Sequence, residues 1–214
     1  MPPIFSRLLP NQSSFTDIIQ WNCEGLIPKK AELEHLLTKK DPICLCLQET
    51  KLPYNSTCTL PGYSAFLKNL EVPDGGDAHG GVGVFVRKGI SAFQINLDTR
   101  LQAVAVSIKF RKRITICSVY LPPAPAVIHK WQLESLIEQL PRPFLLLGDF
   151  NAKSKLWYDT NYCQRGKMVE KLIEEGDFFF LDRKQNTHFS RRHKTFSHVD
   201  LSICSIDLID SFTW

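Results

Sequence analysis

The sequence predicts a single α/β domain. Three observations carry this. Short runs of large apolar residues occur without polar alternation, at Ile43–Leu47 and Phe144–Leu147, as in strands buried on both faces. Apolar stripes at helical spacing lie between such runs, with Leu33, Leu36 and Leu37 in one and Leu133, Leu136, Ile137 and Leu140 in another. Polar residues follow directly after the apolar runs, where open α/β proteins place their chemistry.

The elements follow in order. Residues 1–14 read as a disordered lead-in, and 15–214 as one domain. Phe15–Trp21 is a strand that delivers Asn22, Cys23 and Glu24. Pro28 suits the first turn of a helix, which Lys39 and Lys40 close and Pro42 stops. Ile43–Leu47 is a strand that delivers Gln48, Glu49 and Thr50. A loop runs from Lys51 to Pro61, Tyr63–Leu67 fits a short strand, and Glu71–Gly80 is a Gly- and Asp-rich loop. Gly81–Val86 resumes strand character. Ala103–Phe110 and Ile114–Tyr120 form a hairpin with Arg111-Lys112-Arg113 at its tip, a solvated turn whose charges blunt an edge. Leu121-Pro122-Pro123 is a rigid loop, and Val127–Leu140 is a helix. Phe144–Leu147 is a core strand ended by Gly148, after which Asp149 and Asn151 lie two apart. In extended geometry such residues point the same way, although Gly-Asp-Phe-Asn also fits an ordinary turn. Met168–Glu175 is a helix with Gly176 as its stop. Phe178–Leu181 is apolar, and Thr195–Cys204 is a last strand that carries Asp200.

Composition narrows the function classes. The chain has 214 residues, 43% hydrophobic and 22% charged, which is ordinary for a globular domain. No apolar run approaches the ~20 residues of a membrane span. Met1–Phe15 has one Arg and a short apolar patch, too weak for a signal peptide. A net charge of +4 permits a polyanionic partner without demanding one. Cys44, Cys46, Cys117 and Cys204 sit in apolar runs as buried thiols, which suits an intracellular compartment, nuclear or cytoplasmic. No Cys-x-x-Cys pair occurs, which argues against a zinc site.

Strand ends thus present Asn22 with Glu24 nearby, Glu49, Tyr120, and Asp149 with Asn151, while Asp200 sits amid apolar neighbours. Each has a plain structural explanation as a turn former, cap, salt-bridge partner or core aromatic. Together they form a set of carboxylates and amides without a Cys or His cluster, which suits a hard ion such as Mg²⁺. Asn and Tyr donors beside such an ion fit attack of water on a phosphodiester.

The chain resembles the endonuclease/exonuclease/phosphatase superfamily, and within it the endonuclease domains of jockey-type non-LTR retrotransposons. The matching segments, in order, are Gln20-Trp21-Asn22-Cys23-Glu24-Gly25-Leu26, Leu47-Gln48-Glu49-Thr50, Gly80-Gly81-Val82-Gly83-Val84, Val119-Tyr120-Leu121-Pro122-Pro123, Gly148-Asp149-Phe150-Asn151-Ala152, Thr187-His188-Phe189-Ser190 and Thr195-Phe196-Ser197-His198-Val199-Asp200. The resemblance implies a DNase I-like sandwich of two sheets flanked by helices. It implies a DNA nicking activity, Mg²⁺ or Mn²⁺ as cofactor, DNA as partner, no membrane, a monomer, and a reverse transcriptase on the same polypeptide in the intact element. By position, Glu49 is implied as the main metal ligand and Glu24 as an acidic neighbour. Asn22 and Tyr120 are implied to hold the scissile phosphate. Asp149 is implied to orient or deprotonate water, and Asn151 to support it. Thr187 is implied to line the DNA-binding face, and Asp200 to orient a histidine.

That histidine belongs to a Ser-Asp-His motif, which the sequence does not contain. The expectation is a chain lacking the family's final strand and poor in cleavage. Of the six histidines, His35, His79, His129, His188, His193 and His198, only His198 lies two residues from Asp200. The rival readings are an inactive nucleic-acid-binding remnant and a phosphodiesterase for small molecules.

Overall fold

The computed structural model describes residues 4–8, 16–71, 76–181, 186–190 and 194–213. The chain begins with β1 (Ile4–Leu8) and β2 (Thr16–Asn22), then α1 (Leu26–Lys40), β3 (Cys44–Gln48), β4 (Tyr63–Lys68), β5 (Val82–Arg87) and β6 (Ser91–Ile95). There follow β7 (Gln102–Phe110), β8 (Lys112–Tyr120), α2 (Lys130–Glu138), β9 (Phe144–Asp149) and α3 (Gln164–Glu175). The last strands are β10 (Phe178–Phe180), β11 (His188–Ser190), β12 (Thr195–Ser197), β13 (Asp200–Ser205) and β14 (Phe212–Thr213).

Among the described residues two six-stranded sheets result, in the orders β14-β1-β2-β3-β5-β4 and β10-β13-β9-β8-β7-β6, with β11 and β12 as a separate hairpin. The apolar runs segregate onto three surfaces. Ile18, Cys44, Cys46, Val84, Val106, Ile116, Leu145 and Leu147 fill the space between the sheets. Leu133, Leu136, Val169 and Leu172 pack α2 and α3 against the outer face of the second sheet, around Trp157. Leu33 and Leu37 pack α1 against the outer face of the first, over Leu45 and Phe85. The architecture is the expected helix-flanked sandwich.

The two parallel contacts, β2 with β3 and β8 with β9, are each bridged by a helix. A parallel pair needs such a crossover, and it returns both strands to the same end of the sheet. Asn22 therefore lies beside Gln48, and Tyr120 beside Asp149. The polar residues gather because both crossover units end there.

Several boundaries differ from the sequence reading. Ile4–Leu8 belongs to the expected disordered lead-in, yet it pairs antiparallel with β2 along its whole length; residues 1–3 and 9–14 lie outside the described ones. That pairing gives the strand bearing Asn22 a neighbour on both sides. The helix read from Val127 starts at Lys130, because His129 is extended and forms a reciprocal capping box with Gln132. The helix read from Met168 starts at Gln164, where the Cys163 sulfur accepts the Gly166 N–H. Only Arg111, at φ 55°, turns the β7–β8 hairpin, and Lys112 and Arg113 join the strand. Gly148 does not end its strand. It lies inside β9, paired with Val119, and is glycine because a Cβ there would sit 2.0 Å from the Val119 carbonyl oxygen. The last strand is split: β12 pairs with β11, and β13 with β9 and β10. β6 and β11 have no counterpart in the sequence reading. Of the Glu71–Gly80 loop, 72–75 lie outside the described residues.

Candidate active site

The space between the sheets changes character along its length. Ile18, Gln20 and Asn22 alternate along the inner face of β2, and Cys44, Cys46 and Gln48 along that of β3. Opposite them stand Ser118 and Tyr120, Leu147 and Asp149, and Asp200 and Ser202. The interior is apolar at one end and becomes a column of buried amides, hydroxyls and carboxylates at the other.

Asn22 is the centre. Its Nδ2 donates to Glu49 Oε1 at 2.9 Å and to Asp149 Oδ2 at 2.8 Å. One amide thus holds carboxylates from both sheets. Its Oδ1 accepts the Glu24 N–H at 3.2 Å, which folds the next residues back over the strand end. The backbone around it is stitched to the Glu49 loop: Cys23, Gly25 and Leu26 donate N–H bonds to the carbonyls of Gln48, Glu49 and Thr50 at 3.1, 2.8 and 2.8 Å. Glu24, Glu49 and Asn151 all have positive φ, at 51°, 50° and 46°. Left-handed backbone at a non-glycine residue stores about 1–3 kcal/mol and persists where the surroundings impose it.

Asp149 is 4% exposed. Its Oδ1 accepts the Asn151 N–H at 2.9 Å, and Asn151 Nδ2 donates to the Leu121 carbonyl at 3.1 Å. The bend after β9 is therefore fixed to the loop after β8. Burial pushes the Asp149 carboxyl up to about 7 and the Glu49 charge adds to this, while the Asn22 amide and the Asn151 N–H hold it down. Asp200 faces Asp149 directly across the β9–β13 ladder. Burial, and then the Asp149 charge, drive the Asp200 carboxyl well above the ordinary range, against hydrogen bonds from Thr187 and Gln20. Tyr120 is also buried and hydrogen-bonded to Glu49; burial and the charges of Glu49 and Asp149 raise its hydroxyl pKa.

The remaining expected residues fall around this centre. Glu49 turns its outer oxygen toward Lys51 Nζ at 3.2 Å. Glu24 is exposed. The Thr187 hydroxyl lies 3.2 Å from the backbone nitrogens of both Val199 and Asp200, so it fastens the start of β13. His198 is 4% exposed; its ring packs against Phe180 and its backbone N–H donates to Asp159 Oδ2 at 2.9 Å. His188 is half-buried, and its pKa is lowered by burial, with Glu24 pulling the other way. His193 lies outside the described residues.

Three supporting residues escaped the sequence reading. Gln20 is fully buried and donates to Asp200 Oδ1 at 3.1 Å, while its own Oε1 has no partner among the described residues. Its signal was its place two residues before Asn22. Arg165 binds the carbonyls of Leu121, Phe150 and Ala126 at 3.4, 3.3 and 2.9 Å, clamping the loops after β8 and β9 together. Lys51 is the third. No sequence pattern marked Arg165 or Lys51.

Among the described residues no three His, Cys, Asp or Glu side chains enclose an ion. The donors at the site are oxygens from carboxylates and amides, the set a hard divalent ion accepts when water completes its shell. The approach of the Lys51 ammonium to Glu49 Oε2 shows that this oxygen accommodates a cation.

Fold and site together define a class: a helix-flanked double sheet with a buried acidic, amide-bridged centre at one end. The chain belongs to the Endonuclease/Exonuclease/phosphatase family, whose model matches residues 19–208. Among its relatives is the RNA-directed DNA polymerase from mobile element jockey of Drosophila melanogaster, 27% identical over 177 residues. A probable RNA-directed DNA polymerase from transposon X-element of the same species is 28% identical over 162 residues. These matches cover 79% and 73% of this chain but only 18% and 17% of those proteins. The chain therefore spans less than a fifth of their length. Among solved structures, the endonuclease domain of TRAS1, a telomere-specific non-LTR retrotransposon, superposes with a TM-score of 0.70 at 22% identity, covering 90% of this chain and 86% of that one. An AP endonuclease from Archaeoglobus fulgidus gives 0.66 at 16%, with 90% and 88% covered. No helix among the described residues is long and apolar enough to cross a membrane.

Proposed function

We propose that this chain is the DNA endonuclease domain of a non-LTR retrotransposon polypeptide. It nicks one strand of target DNA, with Mg²⁺ or Mn²⁺, to prime a reverse transcriptase carried on the same polypeptide, and it works as a monomer. The observation that carries the reading is the Asn22 amide, bonded at 2.9 and 2.8 Å to carboxylates of both sheets. An ordinary core does not gather two acids around one buried amide, one of them buried itself, because unpaired buried charge is costly. The family, the mobile-element relatives and the TRAS1-like fold point to the same chemistry.

Glu49 would hold the ion, with Glu24 at its side. The bound ion would neutralise charge on the scissile phosphate. The protein's own residues do the rest. Asn22 gives both amide hydrogens to Glu49 and Asp149, and the Tyr120 hydroxyl bonds Glu49, so these donors would turn to the phosphate oxygens once Glu49 holds the ion. Asp149, with its proton affinity near neutrality, is matched to taking a proton from the attacking water. Asn151 holds Asp149 and the loop beneath it. Thr187 and Gln20 hold Asp200 by hydrogen bonds, as suits an acid that would orient a histidine.

Nicking of supercoiled plasmid tests this. With Mg²⁺ the protein should nick, and Asp149→Ala should lower nicking about 10²–10⁴-fold, the usual contribution of a positioned acid–base group. Nicking that Asp149→Ala leaves unchanged, or release of phosphate from inositol polyphosphates instead of nicking, overturns the reading.

A further inference from the structure

We propose that Lys51 is an exchangeable occupant of the Glu49 carboxylate: a divalent ion displaces its ammonium, which then takes a DNA phosphate. The inference rests on the functional reading above.

The geometry is specific. Lys51 Nζ lies 3.2 Å from Glu49 Oε2, on the side of the carboxylate away from Asn22, which holds Oε1. Glu49 thus has one oxygen fixed by the interior and one facing a partly exposed cation. The backbone imposes this arrangement. Glu49 and Lys51 both have left-handed backbone, at φ 50° and 48°. Thr50 and Lys51 donate N–H bonds to the carbonyls of Gly81 and Gly80 at 3.2 and 2.8 Å. Gln102 Oε1 in turn accepts the Gly81 N–H at 2.7 Å, tying the loop to the second sheet.

The pair itself is weak. The Lys51 side chain is 38% exposed and that of Glu49 20%. An ion pair so open to water contributes little and is readily exchanged. That is unsuited to a structural strut and suited to a place-holder. Without metal, Lys51 offsets the charge of Glu49 beside buried Asp149. A divalent ion at Glu49 offsets it more strongly and repels the ammonium. The freed side chain carries its charge at the mouth through which a phosphate must enter. Metal and DNA then strengthen each other, and the coupling is reciprocal.

The test measures Mn²⁺ binding by calorimetry, and binding of a phosphorothioate DNA duplex by fluorescence anisotropy with and without Mg²⁺. Lys51→Met should bind Mn²⁺ about 2- to 5-fold more tightly, the range of a surface ion pair removed. It should bind DNA more weakly and lose most of the tightening that Mg²⁺ gives the wild type. Lys51→Arg should restore both. Lys153→Met, two residues beyond Asn151, controls for the general field and should leave Mn²⁺ affinity within about 2-fold of wild type. Unchanged or weaker Mn²⁺ binding by Lys51→Met, or an equal gain in Lys153→Met, overturns the exchange. Wild-type Mn²⁺ binding that survives Glu49→Gln strikes instead at the metal assignment on which the inference stands.

Discussion

Replacing Asp149 by Asn should make the protein less active and, above neutrality, more stable. In the metal-free protein burial lifts this carboxyl from its ordinary 3.8 to about 7. The folded value lies above the unfolded one, so the folded state binds more protons between the two. The stability of the neutral form is present in full below about pH 4 and is lost as pH rises through about 7. A rise of about three units, at ~1.36 kcal/mol each, amounts to about 4 kcal/mol lost by pH 8. Asn carries no charge and escapes that loss. It gives up the bond from Asn22, since two amide nitrogens would then meet, at about 1 kcal/mol. The variant should therefore be about 3 kcal/mol more stable than the wild type at pH 8 and nearly equal to it at pH 5. Urea unfolding at pH 5, 6, 7 and 8 in the presence of a chelator measures the difference. Two curves that run parallel across this range would refute the reasoning, because the gap must widen with pH. So would a variant that is the less stable at pH 8. Such gains on replacing a buried ionisable group are the usual mark of a site built against stability.

Other consequences follow from the same geometry. Glu49→Ala should abolish Mg²⁺ or Mn²⁺ binding, and calorimetry showing equal binding by the variant would sink the ligand assignment. Gly148→Ala should lower stability by at least about 3 kcal/mol by urea midpoint, because the Val119 carbonyl oxygen stands 2.0 Å from the new Cβ and backbone cannot step aside as a side chain does. DNA binding should be weak and largely indifferent to sequence, falling about 10- to 100-fold between 50 and 200 mM salt; an affinity that ignores salt would contradict phosphate-led binding.

Much of this protein was legible in the sequence. Buried strands declare themselves through apolar runs, unbroken in β3 and β9 and mostly apolar in β5, β7 and β8, so these were readable, and so were the polar residues that end them. Two helices were readable from stripes at helical spacing, and a third was read with Gly176 as its stop. A strand also carries its own two-residue alternation, so Asp149 and the turn at Asn151 were marked as a unit. The family resemblance added roles that spacing alone does not assign.

What remained hidden depends on partners distant in sequence. Ile4–Leu8 becomes a strand because β2 offers it an open edge, a property of the sheet and not of those five residues. Thr195–Cys204 reads as one strand but divides, because Phe150 N–H takes the Val199 carbonyl and Asp159 takes His198 N–H at the break. His198 shares a neighbourhood with Asp200 in sequence, yet packing turns its ring onto Phe180. The largest gain concerns proton affinity. The sequence by itself determined which acids the chain possesses and that they follow buried strands. Only the tertiary structure decided that Asn22 bridges Glu49 and Asp149, that Asp200 faces Asp149, and that Gln20 and Lys51 hold the outlying oxygens. Residue type sets the intrinsic chemistry of a carboxyl group. Its burial, its neighbours' charges and its hydrogen bonds are set by chain segments up to 180 residues away, and these decide whether it is a surface charge or a working acid.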